Sequence, residues 1–295
     1  MELFIQYTIN ALSLGGTYAL LALGLAIVFS LFGFINFAHG EIMTVCAYAI
    51  YFALSLGCPF GVAVLVGLAA AVCAAVAMER IAFRPLRGAD PTTLLVTGFA
   101  LSGALQILFQ IVFGSRGKPV VMPDIFTGAI SIGGVYIGIV QIVSIVVVLC
   151  SVILLNLFLN RTKFGLSLLA SAEDFNVARL MGIRANAVFA GAFAISGLLA
   201  GIAAVLWLAQ RGSVDPTLGF TPLVKAFVAT IIGGMGSLVG AVAGGFFLGF
   251  LEILLQAVLP SKMLIFRDPL VLMILIGFLL FRPGGLVLAR AQPIR

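Results

Sequence analysis

Only a few side chains in this sequence are of types that could do chemistry, and most of them stand inside or beside apolar runs. Glu252 lies within such a run, and Gln256 follows one helical turn later on the same helix face. His39 and Glu41 stand close together after Asn36, in a short polar stretch between two apolar runs. A carboxylate in an apolar run is expected to face water or a partner group, because exposure to lipid is costly.

Two interpretations are open for the stretch that holds His39 and Glu41. These side chains lack the further His or Cys ligands that a metal site needs. We expect them at the cytoplasmic end of the first span, as a structural cap and turn in which Gly40 supplies permissive backbone angles. The alternative is a gate in a permeation path, to which Asn36 would also belong.

Glu252 also has two interpretations, which the sequence leaves open. It either lines a pathway or an interhelical contact, or it is a structural carboxylate that a partner side chain satisfies. The same argument applies more weakly to four other polar residues: Asn10, Gln106, Gln110 and Lys225.

The sequence offers no arrangement that would support catalysis. It contains no evident pair of nucleophile and general base, and no G-x-x-x-x-G-K-[ST] phosphate loop for ATP. Its four cysteines lie in or beside apolar runs without a C-x-x-C pair, which predicts packing residues instead of a disulfide or a metal site. We therefore predict no catalytic residue, no metal and no cofactor in this chain.

The composition suits lipid as the surrounding solvent. Of the 295 residues, 63% are apolar and 9% are charged, whereas soluble domains carry about 25% charged residues. A water-soluble enzyme, a disordered chain and a coiled coil are therefore excluded. The basic residues behind the net charge of +6 are scattered, so no nucleic-acid surface is predicted. Spans of about 20 residues each would occupy the chain as one membrane domain over residues 1–295.

Nine apolar runs predict an all-α, polytopic transmembrane helical bundle of about 8–10 spans. The run at 222–236 is the weakest, because it is short and contains Pro222 and Lys225, and we expect a span, a half-helix or a re-entrant segment there. The connection at about 114–135 is expected to include a short hairpin. The runs cover approximately residues 5–33, 41–57, 60–79, 92–113, 136–159, 186–209, 222–236, 239–259 and 269–282.

The basic residues between the runs predict the orientation of the chain. With nine spans, ten of these residues fall on one face and six on the other, and the positive-inside rule makes the richer face cytoplasmic. The N-terminus is then outside and the C-terminus inside. The ten are Arg80, Arg84, Arg87, Arg161, Lys163, Arg179, Arg184, Arg282, Arg290 and Arg295, and the six are Arg116, Lys118, Arg211, Lys225, Lys262 and Arg267.

Glycines recur at four-residue spacing, as at Gly197 and Gly201 and at Gly245 and Gly249. Such small-x-x-x-small patterns let two helices approach closely in lipid. We expect them to pack helices within this chain, and a subunit interface is the alternative.

One cytoplasmic connection, at about 160–185, is longer and more polar than the rest. Over about 166–181 its pattern is helical, and Gly182 is a suitable stop. The adjacent Glu173 and Asp174 argue against a helix that lies on the bilayer, which would favour a basic face. We therefore favour a short helix that docks in a groove of a partner protein, with the interfacial helix as the alternative.

Several motifs make the whole chain resemble the permeases of branched-chain amino acid ABC transporters, most closely their smaller, high-affinity subunit. The segment Asn176-Val177-Ala178-x-x-x-Gly182 resembles the E-A-A-x-x-x-G loop of ABC importer permeases, with Asn and Val in place of the first Glu and Ala. The other matching motifs are Gly16-Thr17-Tyr18-Ala19-Leu20-Leu21-Ala22-Leu23-Gly24, Asn36-Phe37-Ala38-His39-Gly40-Glu41, Ile232-Gly233-Gly234-Met235-Gly236-Ser237-x-x-Gly240 and Phe281-Arg282-Pro283-x-Gly285-Leu286.

The resemblance implies a heteromeric importer of leucine, isoleucine and valine in the bacterial inner membrane. A second, related permease, two cytoplasmic ATPases and a periplasmic substrate-binding protein would complete it, and the ATPases would bind ATP and Mg. The segment from Ala172 to Gly182 would form the coupling helix in an ATPase groove. Its candidate contact residues are Ala172, Glu173, Asp174, Asn176, Ala178, Arg179 and Gly182.

Three alternatives stay open at this point. The first keeps the family and changes the cargo to urea, short amides or other amino acids. The second is a secondary transporter driven by an ion gradient, which would favour paired intramembrane acidic groups and inverted repeats, and of such groups only Glu252 qualifies. The third, an intramembrane enzyme, is the weakest because no nucleophile–base pair or metal set supports it.

Overall fold

The computed structural model describes residues 2–123, 126, 128–132, 135–282 and 284–286. Each of the nine apolar runs corresponds to one helix, and two further short helices occupy the connection at 160–185, so the predicted all-α bundle is confirmed. Arg290 and Arg295, which were counted for the orientation, and Pro283 of the C-terminal motif lie outside the described residues. The helices are α1 (Glu2–Phe32), α2 (His39–Ser55), α3 (Phe60–Met78), α4 (Pro91–Phe113), α5 (Ile139–Arg161), α6 (Lys163–Glu173), α7 (Phe175–Leu180), α8 (Ala185–Arg211), α9 (Phe220–Gly233), α10 (Leu238–Val258) and α11 (Arg267–Phe281).

Seven helical segments in the described part of the chain are long and apolar enough to cross a membrane, which makes this a multi-pass membrane protein. They contain α1, α3, α4, α5, α8, α10 and α11. The other two, α2 and α9, have 17 and 14 residues. At about 1.5 Å per residue, α9 is about 21 Å long, which is less than the hydrocarbon core of about 30 Å. The run at 222–236 is therefore a helix too short to cross the core, which fits the half-helix and the re-entrant segment among the three forms predicted for it.

The helices α2 and α9 begin in contact with each other inside the bundle. The backbone amide of Gly219, just before α9, donates to the Thr44 hydroxyl of α2 at 3.2 Å. Gly40 and Gly219 approach so closely that a methyl group added to either one would overlap the carbonyl group of the other. Gly40 is thus an ordinary helical residue needed for a close approach, and the turn before α2 uses Gly33 (φ 69°). The turn role predicted for Gly40 is wrong.

The first helix, α1, lies at the centre of the bundle and packs most extensively against α10. Its residues Gly15 and Ala19 contact Gly249 and Gly245 of α10 so closely that a Cβ on either α10 glycine would meet backbone atoms of α1. Gly197 of α8 packs against α3 in the same way. These small-x-x-x-small patterns therefore pack helices within the chain, as predicted.

Short strands and tight helical turns connect the ends of the helices. The strands are β1 (Lys118–Pro119), β2 (Ala129–Ile132), β3 (Val135–Gly138) and β4 (Ser213–Val214). Antiparallel pairing joins β1 to β4 and β2 to β3. The β2–β3 pair is a hairpin between α4 and α5, so the hairpin predicted in this connection is confirmed. The turns described in full include a π-helical segment (Glu79–Phe83) and the 3₁₀ segments Arg84–Leu86 and Ser261–Phe266.

Candidate functional site

Glu41 lies deep in the bundle. It contacts Ser102, the central residue of α4 (Pro91–Phe113). After α1 the chain turns at Gly33 and runs back among the helices before α2 begins, with the Phe34 ring buried among other phenylalanines. The predicted position at the end of the first span is therefore wrong for Glu41, because the packing of this turn draws the start of α2 inward.

The Glu41 carboxylate is buried and only half satisfied. Its Oε1 atom accepts hydrogen bonds from the Ser102 hydroxyl at 2.9 Å and from the Gln106 amide at 2.8 Å. Among the described residues its Oε2 atom has no partner that meets hydrogen-bond geometry, although the residue is 0% exposed and the neutral Thr44 hydroxyl lies close to the carboxylate. Within the described residues, Glu41 forms no ion pair. Its place in the first turn of α2 puts the carboxylate near the positive end of the helix dipole, which compensates a small part of the charge.

His39 and Asn36 are also buried, and each has a different role from Glu41. The Asn36 side-chain oxygen accepts from the amide of Ala38 at 3.0 Å, which holds the turn before α2. The His39 Nδ1 atom lies 3.1 Å from the Ser196 hydroxyl of α8. Neither His39 nor Glu41 caps α2 with its side chain. The cap-and-turn interpretation therefore describes Asn36 but not the two ionisable residues.

Polar and aromatic groups alternate along the contact between α2 and α4. Tyr48 lies two helical turns beyond Glu41 on the same face, and its ring stacks on Phe113 with centroids 4.4 Å apart. Its buried hydroxyl has no hydrogen-bond partner among the described residues. At the other end of this contact, the Phe37 ring stacks on Phe99 with centroids 3.9 Å apart. We call this contact the α2–α4 seam, formed by Asn36, Phe37, Glu41 and Tyr48 on one side and Gly98, Phe99, Ser102, Gln106, Phe109 and Phe113 on the other.

Glu252 lies in a second polar group and is fully satisfied there. Its Oε1 atom is 2.7 Å from the Lys225 ammonium and 2.8 Å from the Arg267 guanidinium, and its Oε2 atom accepts from the Tyr18 hydroxyl at 2.9 Å. Asp268 completes the group, at 3.3 Å from Lys225 and 3.2 Å from Arg267. We call Lys225, Glu252, Arg267 and Asp268 the ionic cluster.

The ionic cluster holds four helices together, because Tyr18, Lys225 and Glu252 belong to α1, α9 and α10, and the arginine and aspartate begin α11. Lys225 is 9% exposed and lies within α9, so its predicted place in a connection on the less basic face is wrong. Gln256 accepts from Arg267 at 3.2 Å, which confirms that it shares a helix face with Glu252. Within the described residues, no hydrogen bond or ion pair joins this cluster to the α2–α4 seam.

Several residues of both groups do not stand out in the sequence. Ser102 and Tyr18 are ordinary residues of apolar runs, and their partners are far away in the chain. Arg267 and Asp268 carry a signal, since an adjacent pair of opposite charges precedes the last apolar run. A cation such as Arg267 at the start of an apolar helix is consistent with a buried acidic partner such as Glu252.

The connection at 160–185 forms two helices where one was predicted. The backbone of Asp174 is extended (φ −149°, ψ 104°) and separates α6 from α7. Its side chain accepts from the amides of Asn176 at 2.9 Å and Val177 at 3.0 Å, which is an N-cap interaction. The predicted continuous helix over 166–181 is therefore wrong, because Asp174 satisfies the first amides of α7 better than a helical residue would. The predicted stop at Gly182 is present, with φ 84°.

The candidate contact residues of this segment fall on different sides of it. Glu173, Asn176, Arg179 and Gly182 are exposed, together with the apolar Val177, Leu180 and Met181. Ala178 is buried, Ala172 is half-buried, and Asp174 is engaged in its cap. The exposed side therefore combines charged and amide side chains with apolar ones.

Aromatic contacts anchor this segment to the bundle. The Phe175 ring of α7 packs on Phe189 of α8 with centroids 4.9 Å apart, and Phe189 in turn packs on Phe32 of α1 at 4.4 Å. The Arg87 guanidinium lies 4.3 Å above the Phe189 ring and pairs with Glu79. A displacement of α7 would therefore act on α8 through Phe189, and on α1 through the contact of Phe189 with Phe32.

Comparisons with known proteins agree with this architecture. Residues 7–281 match the model of the family "Branched-chain amino acid transport system / permease component". The chain is 36% identical over 296 residues to the high-affinity branched-chain amino acid transport system permease protein BraD of Pseudomonas aeruginosa, covering 96% of this chain and 95% of BraD. It is 33% identical over 298 residues to the corresponding protein LivH of Escherichia coli K12, covering 96% of this chain and 95% of LivH.

A solved structure of an ABC transporter of the metal-chelate type, in an inward-facing conformation, has a similar fold. Its TM-score is 0.50 and its sequence identity 18%, over 94% of this chain and 87% of the other. The fold, the family match and the two relatives agree along nearly the whole chain. The chain belongs to the family of permease components of branched-chain amino acid transport systems.

Proposed function

We propose that this chain is a membrane-spanning subunit of an ATP-driven importer that moves leucine, isoleucine and valine across the bacterial inner membrane. The observation that carries the proposal is full-length similarity to two permeases named for this transport. The buried polar groups between apolar helices are consistent with transport of a small amphipathic cargo, which needs apolar walls and a few polar contacts.

The partners follow from the same proposal. A second, related permease would complete the membrane part, a periplasmic binding protein would deliver the cargo, and two cytoplasmic ATPases would bind ATP and Mg and hydrolyse the nucleotide. The basic residues between the spans favour an N-terminus outside and the connection at 160–185 inside, since five helices precede that connection. A C-terminus inside follows where α9 counts as a crossing together with α8, α10 and α11. In this orientation α6 and α7 face the ATPases.

The segment from Ala172 to Gly182, which ends α6 and contains α7, is the proposed docking site for an ATPase. Its exposed side offers Glu173 and Arg179 for ion pairs, and Leu180 and Met181, 87% and 79% exposed, for an apolar groove. Closure of the two ATPases would move α7, and the ring contact between Phe175 and Phe189 would carry this movement into the bundle.

Reconstitution of the complete complex in proteoliposomes tests the proposal. Uptake of labelled leucine should require both ATP and the binding protein, and unlabelled isoleucine and valine should compete with it. Uptake that proceeds without ATP and follows a proton or sodium gradient would contradict the proposal. Competition by urea or short amides, without competition by valine, would reassign the cargo.

Charge reversal at the docking site tests the coupling. Glu173→Arg or Arg179→Glu should lower leucine uptake at least tenfold while the ATPases continue to hydrolyse ATP, because the ion pairs across the groove would become repulsive. Lys163→Glu is the matched control, since it reverses an exposed charge at the start of α6, outside the proposed contact. Unchanged uptake and unchanged stimulation of ATP hydrolysis in both variants would overturn the docking assignment.

A further inference from the structure

The Glu41 carboxylate is a buried acid that has no counter-ion among the residues that the structure describes. In the described part of the chain, its neighbours Ser102 and Gln106 are neutral, and its Oε2 atom accepts no hydrogen bond. A buried charge without a partner is costly, and an intramembrane carboxylate of this kind is by default a functional group. The open Oε2 atom is therefore a position for a cationic group from outside the chain.

The surroundings of Glu41 fit an amine that carries an apolar side chain. Along the seam on one side of Glu41 lie the rings of Tyr48, Phe109 and Phe113, with the buried Tyr48 hydroxyl unpartnered. On the other side lies the ring stack of Phe37 and Phe99. Apolar rings flank a lone carboxylate, which is the complement of an aliphatic amino acid that presents its ammonium group.

Within the described bundle, α4 packs mainly against α2 and the π-helical turn at Glu79–Phe83. The α4 helix buries one stripe of residues and leaves its other faces exposed. Only the hydrogen bonds of Ser102 and Gln106 tie this stripe to Glu41, and Gln106 is itself half-buried. A movement of α4 away from α2 would therefore uncover the carboxylate by breaking two hydrogen bonds to neutral donors and by separating the ring contacts that cross the seam. The stripe consists of Leu94, Gly98, Ser102 and Phe109.

We propose that Glu41 is the counter-ion for the primary ammonium group of the cargo as it passes between α2 and α4. The ammonium would bind at the open Oε2 atom while α4 is displaced, and the apolar side chain would lie against the rings of the seam. This inference rests on the proposed function, because it assigns a binding site for the amino acid that the importer is proposed to carry.

Substitution of Glu41 in the complete importer tests this inference. Glu41→Gln should lower the amount of leucine imported per ATP hydrolysed at least tenfold, because the neutral amide keeps the shape but loses the charge. Glu41→Asp, which keeps the charge, should recover a substantial part of the uptake. Gln110→Leu is the matched control: it removes an exposed amide one turn beyond Gln106 on α4, and it should transport like the unchanged protein.

The two levels of the proposal fail in different ways. If the unchanged complex does not import leucine with ATP, the proposed function itself is overturned. If the unchanged complex imports leucine and Glu41→Gln imports it equally well per ATP, only the role of Glu41 is overturned. A loss in Glu41→Gln that Glu41→Asp fails to relieve would also count against a charge-based role.

Chemical labelling of the unchanged complex gives a test that needs no variant. Dicyclohexylcarbodiimide modifies carboxyl groups at membrane depth, and peptide mapping reports the extent of modification at Glu41. With ATP present, leucine-loaded binding protein should reduce labelling of Glu41 at least threefold relative to empty binding protein. Equal labelling in both conditions would overturn the proposal, and so would an absence of labelling in both, since Glu41 would then never be accessible.

Discussion

Two buried carboxylates in this protein have opposite surroundings. Glu252 is 1% exposed and receives two cations and a phenol hydroxyl, so both of its oxygens are occupied. Glu41 is 0% exposed and, within the part of the chain that the structure describes, its hydrogen-bond donors are neutral and bind one oxygen. The first carboxylate joins four helices, whereas the second lies in a contact between α2 and the sparsely packed α4.

The difference separates a structural acid from a functional one. Charges that are buried as a matched set compensate much of each other's lost hydration, and removal of one member leaves the others uncompensated. An unmatched carboxylate has no such set to disrupt, so its loss should affect function more than stability. Three measurements of the free energy of unfolding test this difference between Glu252 and Glu41.

The largest effect is expected for Glu252→Ala. The substitution would leave Lys225 and Arg267 competing for the half-exposed Asp268, and breaking a buried pair in this way costs about 3–5 kcal/mol. Denaturant titration of the purified protein in mixed micelles measures the free energy of unfolding. Gln256→Ala, which removes a neutral acceptor of Arg267, is the control and should cost about 1 kcal/mol.

A double substitution of the closest ion pair should recover part of that loss. Lys225→Met with Glu252→Met replaces both charges by apolar chains of similar length, while Arg267 keeps Asp268 as its partner. Since buried pairs replaced as a unit are often tolerated, we expect a coupling energy of about 2 kcal/mol in the double-mutant cycle. Additive losses would show that the two charges act independently.

The smallest effect on stability is expected for Glu41→Gln. The amide oxygen can still accept from Ser102 and Gln106, and a buried unpaired charge is removed, so the free energy of unfolding should change by less than about 1 kcal/mol. The same titration measures it. A loss as large as that of Glu252→Ala would erase the distinction between the two carboxylates.

The nine helices that correspond to apolar runs are predictable, because each run is contiguous in the sequence. The short length of the helix at 222–236 is also predictable, because Pro222 near its start and the glycines after Ile232 at its end limit how far it extends. The cap of α7 is local too, because Asp is a favoured N-cap residue, and its effect on the helix at 166–181 could have been recognised in the sequence.

The depth and the partners of the polar residues are not predictable from local patterns. Glu41 lies at the level of Ser102 because the turn after α1 packs inward and because two glycines let α2 and α9 meet. Glu252 is satisfied by Lys225, 27 positions away, and by Tyr18, 234 positions away. Both outcomes depend on the packing of helices that are distant in the chain.

The N-cap at Asp174 makes the junction between α6 and α7 a hinge. Because the Asp174 carboxylate binds the first amides of α7, the aspartate moves with α7 as one piece. On its other side, the Asp174 amide bonds to the carbonyl of Ala170 in α6. A change in the angle between the two helices would therefore be concentrated at the backbone of Asp174, and the ring contact of Phe175 with Phe189 would pass the displacement of α7 on to α8.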